Sequence, residues 1–376
     1  MPDPRSRTPY LPVPQAFDAA PLVVIWEVTR ACDLLCVHCR ADAIPRREEG
    51  ELTTREGMRL LDEVRRFGRP RVVLTGGDPL KRRDIFDILE HGTLIGLDMS
   101  LSPSATPLVT RAALERAAGC GASGVSISID GPDARSHDVF RGVPGTFARS
   151  LDAARTIVEL GMDLHVNTTV ARHNLHRLEA MVGVVRDLEA RRWSLFFLVP
   201  VGRATDALQL TAGEFEEVFR WLDRLSDSAP FRIKTTEGPH YRRVALQEWA
   251  ARTGEEPARL LERSASANRR FIPGMNDGRG FVFVSWRGDI QPSGFLPLTA
   301  ANVRRASLVE TYRSHPLFRE LRDPDLLRGR CGACEYRSVC GGSRARALAV
   351  HGHHLAEDPA CAYRPESWVG CSSAPR

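Results

Sequence analysis

Glu27-Val-Thr-Arg-Ala-Cys32-Asp-Leu-Leu-Cys36-Val-His-Cys39-Arg40 sets three cysteines at C-x3-C-x2-C spacing directly after an apolar run, Pro21-Leu-Val-Val-Ile-Trp26. Three thiolates in so short a loop can hold three corners of a cubane iron–sulfur cluster, because sulfur is a preferred ligand for iron and the loop brings all three to one face. One iron is then left without a protein ligand, and an open iron is a coordination position for a substrate or cofactor. The competing arrangement is a structural zinc, which takes four ligands; the nearest candidate for the fourth is His38, inside the loop.

The rest of the chain bounds what such a loop serves. At 376 residues the chain exceeds the usual single domain, so one large domain plus a smaller one is expected, and a hydrophobic content of 43% is ample for a core. No apolar run approaches a membrane span, and residues 1–20 carry proline and charge where a signal peptide would be apolar, so a cytoplasmic protein is expected. A net charge of +5, from 52 Lys+Arg against 47 Asp+Glu, does not call for nucleic acid but suits a small acidic substrate. Seven of the nine cysteines fall in two groups, Cys32, Cys36, Cys39 and Cys331, Cys334, Cys340, Cys361, which argues for metal ligation over disulfides. Cys120 reads as a buried thiol and Cys371 as one in the tail.

From Leu22 to about Pro200 a strand–loop–helix pattern repeats, with apolar runs at Leu22–Val28, Arg71–Thr75, Leu97–Leu101, Gly124–Ile129, Asp163–Val170 and Trp193–Val199. A capping box, Thr53 with Glu56, opens the first helix, and Met58, Leu60, Leu61 and Val64 share a face of it. Six alternating units predict an α/β fold with a parallel sheet and outer helices, and functional residues at the carboxyl ends of the strands. Thr75-Gly76-Gly77-Asp78-Pro79 follows the second strand: the glycines let backbone approach a ligand, and the Asp78 carboxylate and nearby carbonyls can accept from an ammonium. On the fourth strand, alternation puts Ser126, Ser128 and Asp130 on one face, pointing inward, where polar groups are costly unless they bind something. Arg141 suits a carboxylate through its fork, or else forms a helix-surface salt bridge. Asn167 lies on the fifth strand, and the sixth exits through Val199-Pro200-Val-Gly202, a bent backbone with edges free for a heterocycle.

Together the cysteine loop and the Gly-Gly-Asp-Pro turn resemble the signatures of the radical S-adenosylmethionine (SAM) enzymes. The resemblance implies a partial (β/α)6 barrel in which the open iron chelates the amino and carboxylate groups of SAM, and reductive cleavage yields a 5′-deoxyadenosyl radical. It further implies that Gly76, Gly77 and Asp78 hold the SAM amino group, with Asp78 in place of the family's glutamate. Ser128 and Arg141 then lie near the carboxylate and ribose, Asn167 near the ribose, and Val199 by the adenine. The third loop, Ser102-Pro-Ser-Ala-Thr106, lacks the Asn-Gly turn of close relatives, so the resemblance does not imply a polar contact from it.

Past the barrel a mostly helical connector is broken by Lys234-Thr-Thr-Glu237-Gly-Pro-His240-Tyr241-Arg242-Arg243, the best candidate for substrate specificity, where His, Tyr and two Arg at a helix start can hold carboxylates and give a proton, His240 and Tyr241 being the candidate donors. A solvated basic helix face accounts for the same composition. Phe281–Ser285 and Asp289–Pro292 around Gly288 read as a hairpin. Cys331-x2-Cys334-x5-Cys340 followed by Cys361 supplies four thiolates, enough for a second cubane or for a zinc knot. This tail resembles the SPASM/twitch extension of radical SAM maturases. Two positions that are cysteines in many relatives are Ser293 and Ser343, which implies one auxiliary [4Fe-4S] cluster and no inner one.

The expected organisation is an arm over 1–20, a radical SAM barrel over 21–205, a connector over 206–273 and an auxiliary-cluster domain over 274–376. Residues 1–20 are expected to be too short to fold as a leader-peptide-binding domain, which weighs modestly against a peptide substrate. The Trp26 to Cys32 stretch, Phe196 to Arg203, Pro239-His-Tyr241, Gly294 to Pro297 and Cys331 to Arg337 look like the haem-pathway branch, which oxidatively decarboxylates or removes propionates of iron tetrapyrroles. The expected function is hydrogen abstraction from a carboxylate-bearing small molecule or tetrapyrrole, fed by a reductant such as flavodoxin or ferredoxin. A maturase of a ribosomal peptide and a non-catalytic iron–sulfur or zinc protein are the alternatives.

Overall fold

The computed structural model describes residues 17–256 and 274–368; most of the arm, the end of the connector and Cys371 lie outside these. Alternation along β1 (Val23–Glu27) sends Val24 and Trp26 into the core and turns Val23 and Ile25 to the opposite face. The same division recurs on β2 (Arg71–Thr75), where Val72 and Leu74 are core residues and Arg71, Val73 and Thr75 face inward. It continues through β3 (Asp98–Leu101), β4 (Gly124–Ser128), β5 (Asp163–Val170) and β6 (Arg192–Phe197). Outward positions are branched or aromatic and bury against helices; inward positions are largely polar and line a cavity.

The expected α/β architecture is found, with an extension at each end of the sheet. Ten strands form one sheet in the order β10-β9-β8-β1-β2-β3-β4-β5-β6-β7, and every neighbouring pair from β1 to β7 is parallel. The connector, expected to be mostly helical, contributes β7 (Arg232–Thr236), which pairs parallel with β6. Its sequence, Arg-Ile-Lys-Thr-Thr, hides the strand because its inward side faces a polar cavity and shows no apolar alternation. On the other edge β8 (Phe281–Val284) pairs parallel with β1, and the expected hairpin closes with β9 (Asp289–Gln291) before β10 (Ala301–Asn302).

Eight helices through residue 253 cover the outer face and follow the strands: α1 (Thr54–Arg65), α2 (Ile85–Leu94), α3 (Arg111–Gly119), α4 (Ala134–Arg141), α5 (Thr146–Glu159), α6 (Leu178–Asp187), α7 (Ala212–Ser228) and α8 (Tyr241–Thr253). Helix α1 starts at the expected capping box, Thr53 Oγ1 accepting from Glu56 N and Glu56 accepting from Thr53 N. It buries Leu60, Leu61 and Val64 and sets Gly57 on the Trp26 ring, where an added Cβ would meet Cη2 at 2.3 Å. The carboxyl-terminal segment docks on this helix through Arg304–Glu56 (2.8 Å) and Ser307 Oγ–Glu63 Oε2 (2.8 Å). No helix among the described residues is long and apolar enough to cross a membrane.

Candidate active site

The cysteine loop leaves the carboxyl end of β1 and is fixed from two sides by contacts that only glycine permits. An added Cβ on Gly77 would lie 2.5 Å from the carbonyl oxygens of both Arg30 and Ala31, and Asp78 N donates to Ala31 O at 2.6 Å. At the end of α4, Gly142 takes a left-handed φ of 72°, and a Cβ there would sit 2.5 Å from Leu35 O. The close approach expected between the Gly-Gly turn and a ligand is thus first an approach to the loop backbone. On a third side Arg203 N donates to Cys39 O at 3.0 Å.

Cys32, Cys36 and Cys39 line one cavity of about 380 Å³, together with Gly76, Gly77, Ser128, Arg141, Asn167 and Val199. Each sulfur has a donor aimed at it: Leu34 N to Cys32 at 3.4 Å, Arg141 Nη1 to Cys36 at 3.8 Å and Ala43 N to Cys39 at 3.4 Å. Burial raises the Cys32 thiol to about 11 and pushes Cys36 up, so as free thiols they are protonated at neutral pH and would release protons to a metal. Three partly buried sulfurs facing open space, each with an N–H donor, fit thiolate ligands of an iron–sulfur cluster. His38 does not complete a zinc set: its ring stacks on Phe140 at 4.0 Å, and Phe140 stacks in turn on His173 at 3.7 Å.

Arg141 forms a salt bridge, though a buried one, and also reaches the cavity. Its guanidinium is paired with the buried Asp130 at 2.6 Å yet also lines the cavity beside Cys36. Asp130 itself does not face the cavity. It accepts from Arg141 and from Thr169 N, and although burial opposes the charge, Arg141 leads the groups that hold its pKa down to about 2.

Asp78 departs from expectation. Its carboxylate is fully buried, accepting from Thr106 Oγ1 at 2.6 Å and Leu80 N at 3.1 Å, and burial raises its pKa to about 6. The part of this turn on the cavity wall is the backbone of Gly76 and Gly77. The third loop makes polar contacts within the protein: besides Thr106, Ser104 Oγ donates to Gly77 O at 2.7 Å and lies 3.5 Å from Cys32 Sγ.

His240 and Tyr241 also require correction, for neither lines the cavity. His240 is fully buried against Phe215, Phe219 and Asp358, with burial bringing its pKa down to about 3, and Tyr241 packs on Phe219 with its phenol raised to about 12 by burial. The helix start turns Arg242 to the cavity instead, while Arg243 pairs with Glu216 and reaches Cys361.

A carboxyl pair that sequence reading did not assign lies on the same wall. Glu237 and Asp277 both face the cavity and hydrogen-bond each other; burial pushes both pKa values up, with Asp277 adding to the rise at Glu237, so the pair retains a proton. Glu237 holds a left-handed φ of 55°, uncommon for a non-glycine residue. The two serines at cysteine positions join this network: Ser343 Oγ donates to Glu237 Oε2 at 2.5 Å, and Ser293 hydrogen-bonds Asp277.

Cys331, Cys334, Cys340 and Cys361 ring a second, smaller cavity with Arg243, Arg330 and Arg337. Gly342 N donates to Cys340 and Asp358 N to Cys331, both at 3.4 Å, while Arg243 lies 3.7 Å from Cys361. Burial raises all four thiols, Cys334 to about 12. Among the described residues no three His, Cys, Asp or Glu are grouped to hold a single metal ion. Four thiols spread around a space lined by arginines suit an anionic multi-iron body.

Residues 26–184 match the model of the radical SAM superfamily. The AdoMet-dependent heme synthase of Methanosarcina barkeri is 37% identical over 93% of this chain and 99% of that protein, and the enzyme of the same name from Nitratidesulfovibrio vulgaris is 38% identical over 93% and 94%. Among solved structures, Streptococcus suis SuiB superposes with a TM-score of 0.70 at 17% identity, covering 92% of this chain and 78% of that one, a likeness of fold.

Proposed function

This chain belongs to the radical SAM superfamily, in the haem-biosynthesis branch, and from that premise we propose that it cleaves SAM reductively and abstracts hydrogen from a carboxylate-bearing tetrapyrrole, oxidising or decarboxylating a side chain. The observation that carries the reading is the gathering of Cys32, Cys36, Cys39, Gly76, Gly77, Ser128, Arg141, Asn167 and Val199 on one cavity. When bound, a [4Fe-4S] cluster with SAM on its open iron supplies the electron and the carbon-centred radical for that abstraction.

The chain's own residues hold, orient and enclose. Cys32, Cys36 and Cys39 would hold the first cluster, and the Gly77 and Gly142 contacts fix their loop. Arg141, held rigid by Asp130, offers its remaining fork to the SAM carboxylate, with Ser128 and Asn167 on adjacent strands for the ribose. Such restraint is what makes an indiscriminate radical selective. The Glu237–Asp277 pair, carrying a proton at the cavity wall, gives or takes the proton that a substrate carboxyl group requires. Cys331, Cys334, Cys340 and Cys361 hold an auxiliary [4Fe-4S] cluster, fully ligated and therefore suited to electron transfer or structure, with flavodoxin or ferredoxin as the reductant.

The test is anaerobic reconstitution with iron and sulfide, then SAM, a strong reductant and an iron porphyrin bearing propionates. About eight irons per chain, two cubanes, with deoxyadenosine and a decarboxylated or oxidised porphyrin support the reading. Bound zinc without deoxyadenosine contradicts it.

A further inference from the structure

The cavity is strongly cationic on a wall that the SAM contacts above do not use. Lys234 on β7, Arg192 on β6, Arg242 at the start of α8 and Arg71 on β2 all line it. Arg71 has a carboxylate partner, Asp98 at 2.9 Å. The others do not. Arg192 donates to Ser194 Oγ at 3.2 Å and contacts His165 Nδ1 at 2.9 Å, and that histidine is kept neutral by burial and by Arg192 itself. Arg242 donates to the backbone oxygen of Val339 at 3.2 Å, and the charged groups acting on it are the Cys340 thiol, on the side of the second cysteine group, and Arg279. The charged groups acting on Lys234 are Arg192, Arg71 and Arg242, all cations, and with burial they bring its ammonium down to about 7. Asp163 and Asp98 act on Arg192 but are paired with Arg191 and Arg71. Glu237 and Asp277, on the same cavity, still carry one negative charge when they share a proton, but the cations acting on that pair are Arg346 and Arg344, and neither carboxyl group is among the charges acting on Lys234.

Desolvated cations without counter-charge are costly, and a folded protein tolerates them where a ligand supplies the anion. The placement is also informative. Arg71 and Arg192 open their parallel strands, whereas the cysteine loop leaves the opposite end of the sheet: Val28 N bonds to Thr75 O, four residues along β2 from Arg71, a rise of about 13 Å. An anion held at Arg192 is well separated from the cysteine loop, while Lys234, in register with Ser194 and through it with Asn167, stands midway along the wall and Arg242 follows the carboxyl end of β7.

We infer that Lys234, Arg192 and Arg242 form a carboxylate-anchoring subsite that holds acid groups of the substrate other than the one reacting at the cysteine-loop end. The inference rests on the reading of this cavity as the substrate site, and it narrows the substrate class to polycarboxylates with at least two acid groups set wide apart. A tetrapyrrole with several propionates meets that description. Arg192 and Arg242 supply planar forks and Lys234 a compact point charge, so together they accept two carboxylates in different orientations.

The experiment uses the full-length reconstituted enzyme and three probes: an iron porphyrin with four propionates, its tetramethyl ester, and benzene-1,3,5-tricarboxylate. Wild-type protein is expected to bind the tetra-acid at least about tenfold more tightly than the ester. Lys234→Met is expected to weaken the tetra-acid about tenfold with ester binding unmoved, iron content equal to wild type, and a raised Tm, since an uncompensated charge has gone; a merely structural lysine would lower Tm. Lys234→Arg, which keeps the charge, is expected to restore most of the acid preference. Equal binding of acid by Lys234→Met and wild type, or equal loss of acid and ester, overturns the subsite. The tricarboxylate separates the two readings. If no porphyrin binds but the tricarboxylate stabilises wild type and not Lys234→Met, the tetrapyrrole reading fails and the subsite stands; if it stabilises neither, the subsite fails.

Discussion

Lys234 is the residue whose titration reports the site most plainly. In the unliganded protein burial and the neighbouring Arg192, Arg71 and Arg242 lower its pKa to about 7, against about 10.4 in an unfolded chain. Between those values the unfolded state binds more protons, so this group's contribution to stability rises with pH across that window. The Tm advantage of Lys234→Met should therefore be largest at pH 7 and below and shrink toward pH 10; thermal scans across that range check it, and a difference independent of pH would count against a charged lysine in the cavity. Just beyond the end of the strand that carries Lys234, Glu237→Gln removes the proton-sharing carboxyl group, and kcat on a converted tetrapyrrole is expected to fall by about 100-fold or more with iron content intact. The segment from Lys234 to Arg243 was legible in the sequence as the place for substrate specificity, but the individual roles of Lys234 and Glu237 within it were not. Glu237 lies beside His240 and Tyr241, which drew attention as textually obvious proton donors, yet a helix start sends successive side chains in different directions. Here it sends those two into the core and Arg242 into the cavity. Asp277 has no pattern around it, and meets Glu237 only because distant segments converge. Ser293 and Ser343, noticed as replaced cysteines, gave the one sequence signal that this wall is unusual.

At the scale of elements, the cysteine loop is shaped by what packs against it. Gly77→Ala would drive a Cβ into two backbone carbonyls at 2.5 Å, neither of which is a flexible side-chain end. The expected outcome is loss of the loop cluster with retention of the auxiliary one, read as a fall from about eight irons to about four, cubane by cubane; wild-type iron content in the variant would contradict the clamp. Asp130→Asn breaks the buried pair with Arg141 and is expected to cost about 3–5 kcal/mol, measured by denaturant unfolding, because a cation is left without its partner. The six sequence-derived strands are found within a residue or two because each carries an apolar outer face that must bury. The seventh, β7, was missed because both of its faces read as polar: Lys234 and Thr236 point to the cavity, and the strand sits at the edge of the sheet. Asp78 shows the complementary limit. Its place after the glycines was legible, but that its carboxylate would turn inward to Thr106 was not, since the partner lies on another loop.

At the scale of the molecule, the carboxyl-terminal segment is continuous with the barrel. β8 pairs parallel with β1, Arg40 of the cysteine loop reaches Gly294 O at 3.1 Å and Glu27 at 2.7 Å, and Arg346 donates to Glu237 O at 2.8 Å. The two cysteine groups are therefore held in one framework, with the Glu237–Asp277 pair tied through Ser343 to the segment that carries the second group. Cys334→Ser is expected to remove about four irons and leave the cysteine-loop cluster in place, as counted by iron analysis and electron paramagnetic resonance; loss of both signals would show that the two sites do not assemble independently. The central claim is that the radical formed at the cysteine loop takes hydrogen from a carboxylate-bearing side chain of a tetrapyrrole whose other acid groups are anchored by Lys234, Arg192 and Arg242. The direct measurement is mass spectrometry of 5′-deoxyadenosine produced with an iron porphyrin deuterated in its propionate side chains. The account predicts deuterium in the deoxyadenosine in step with loss of deuterium from the porphyrin. Deoxyadenosine formed at the same rate and free of deuterium would contradict it.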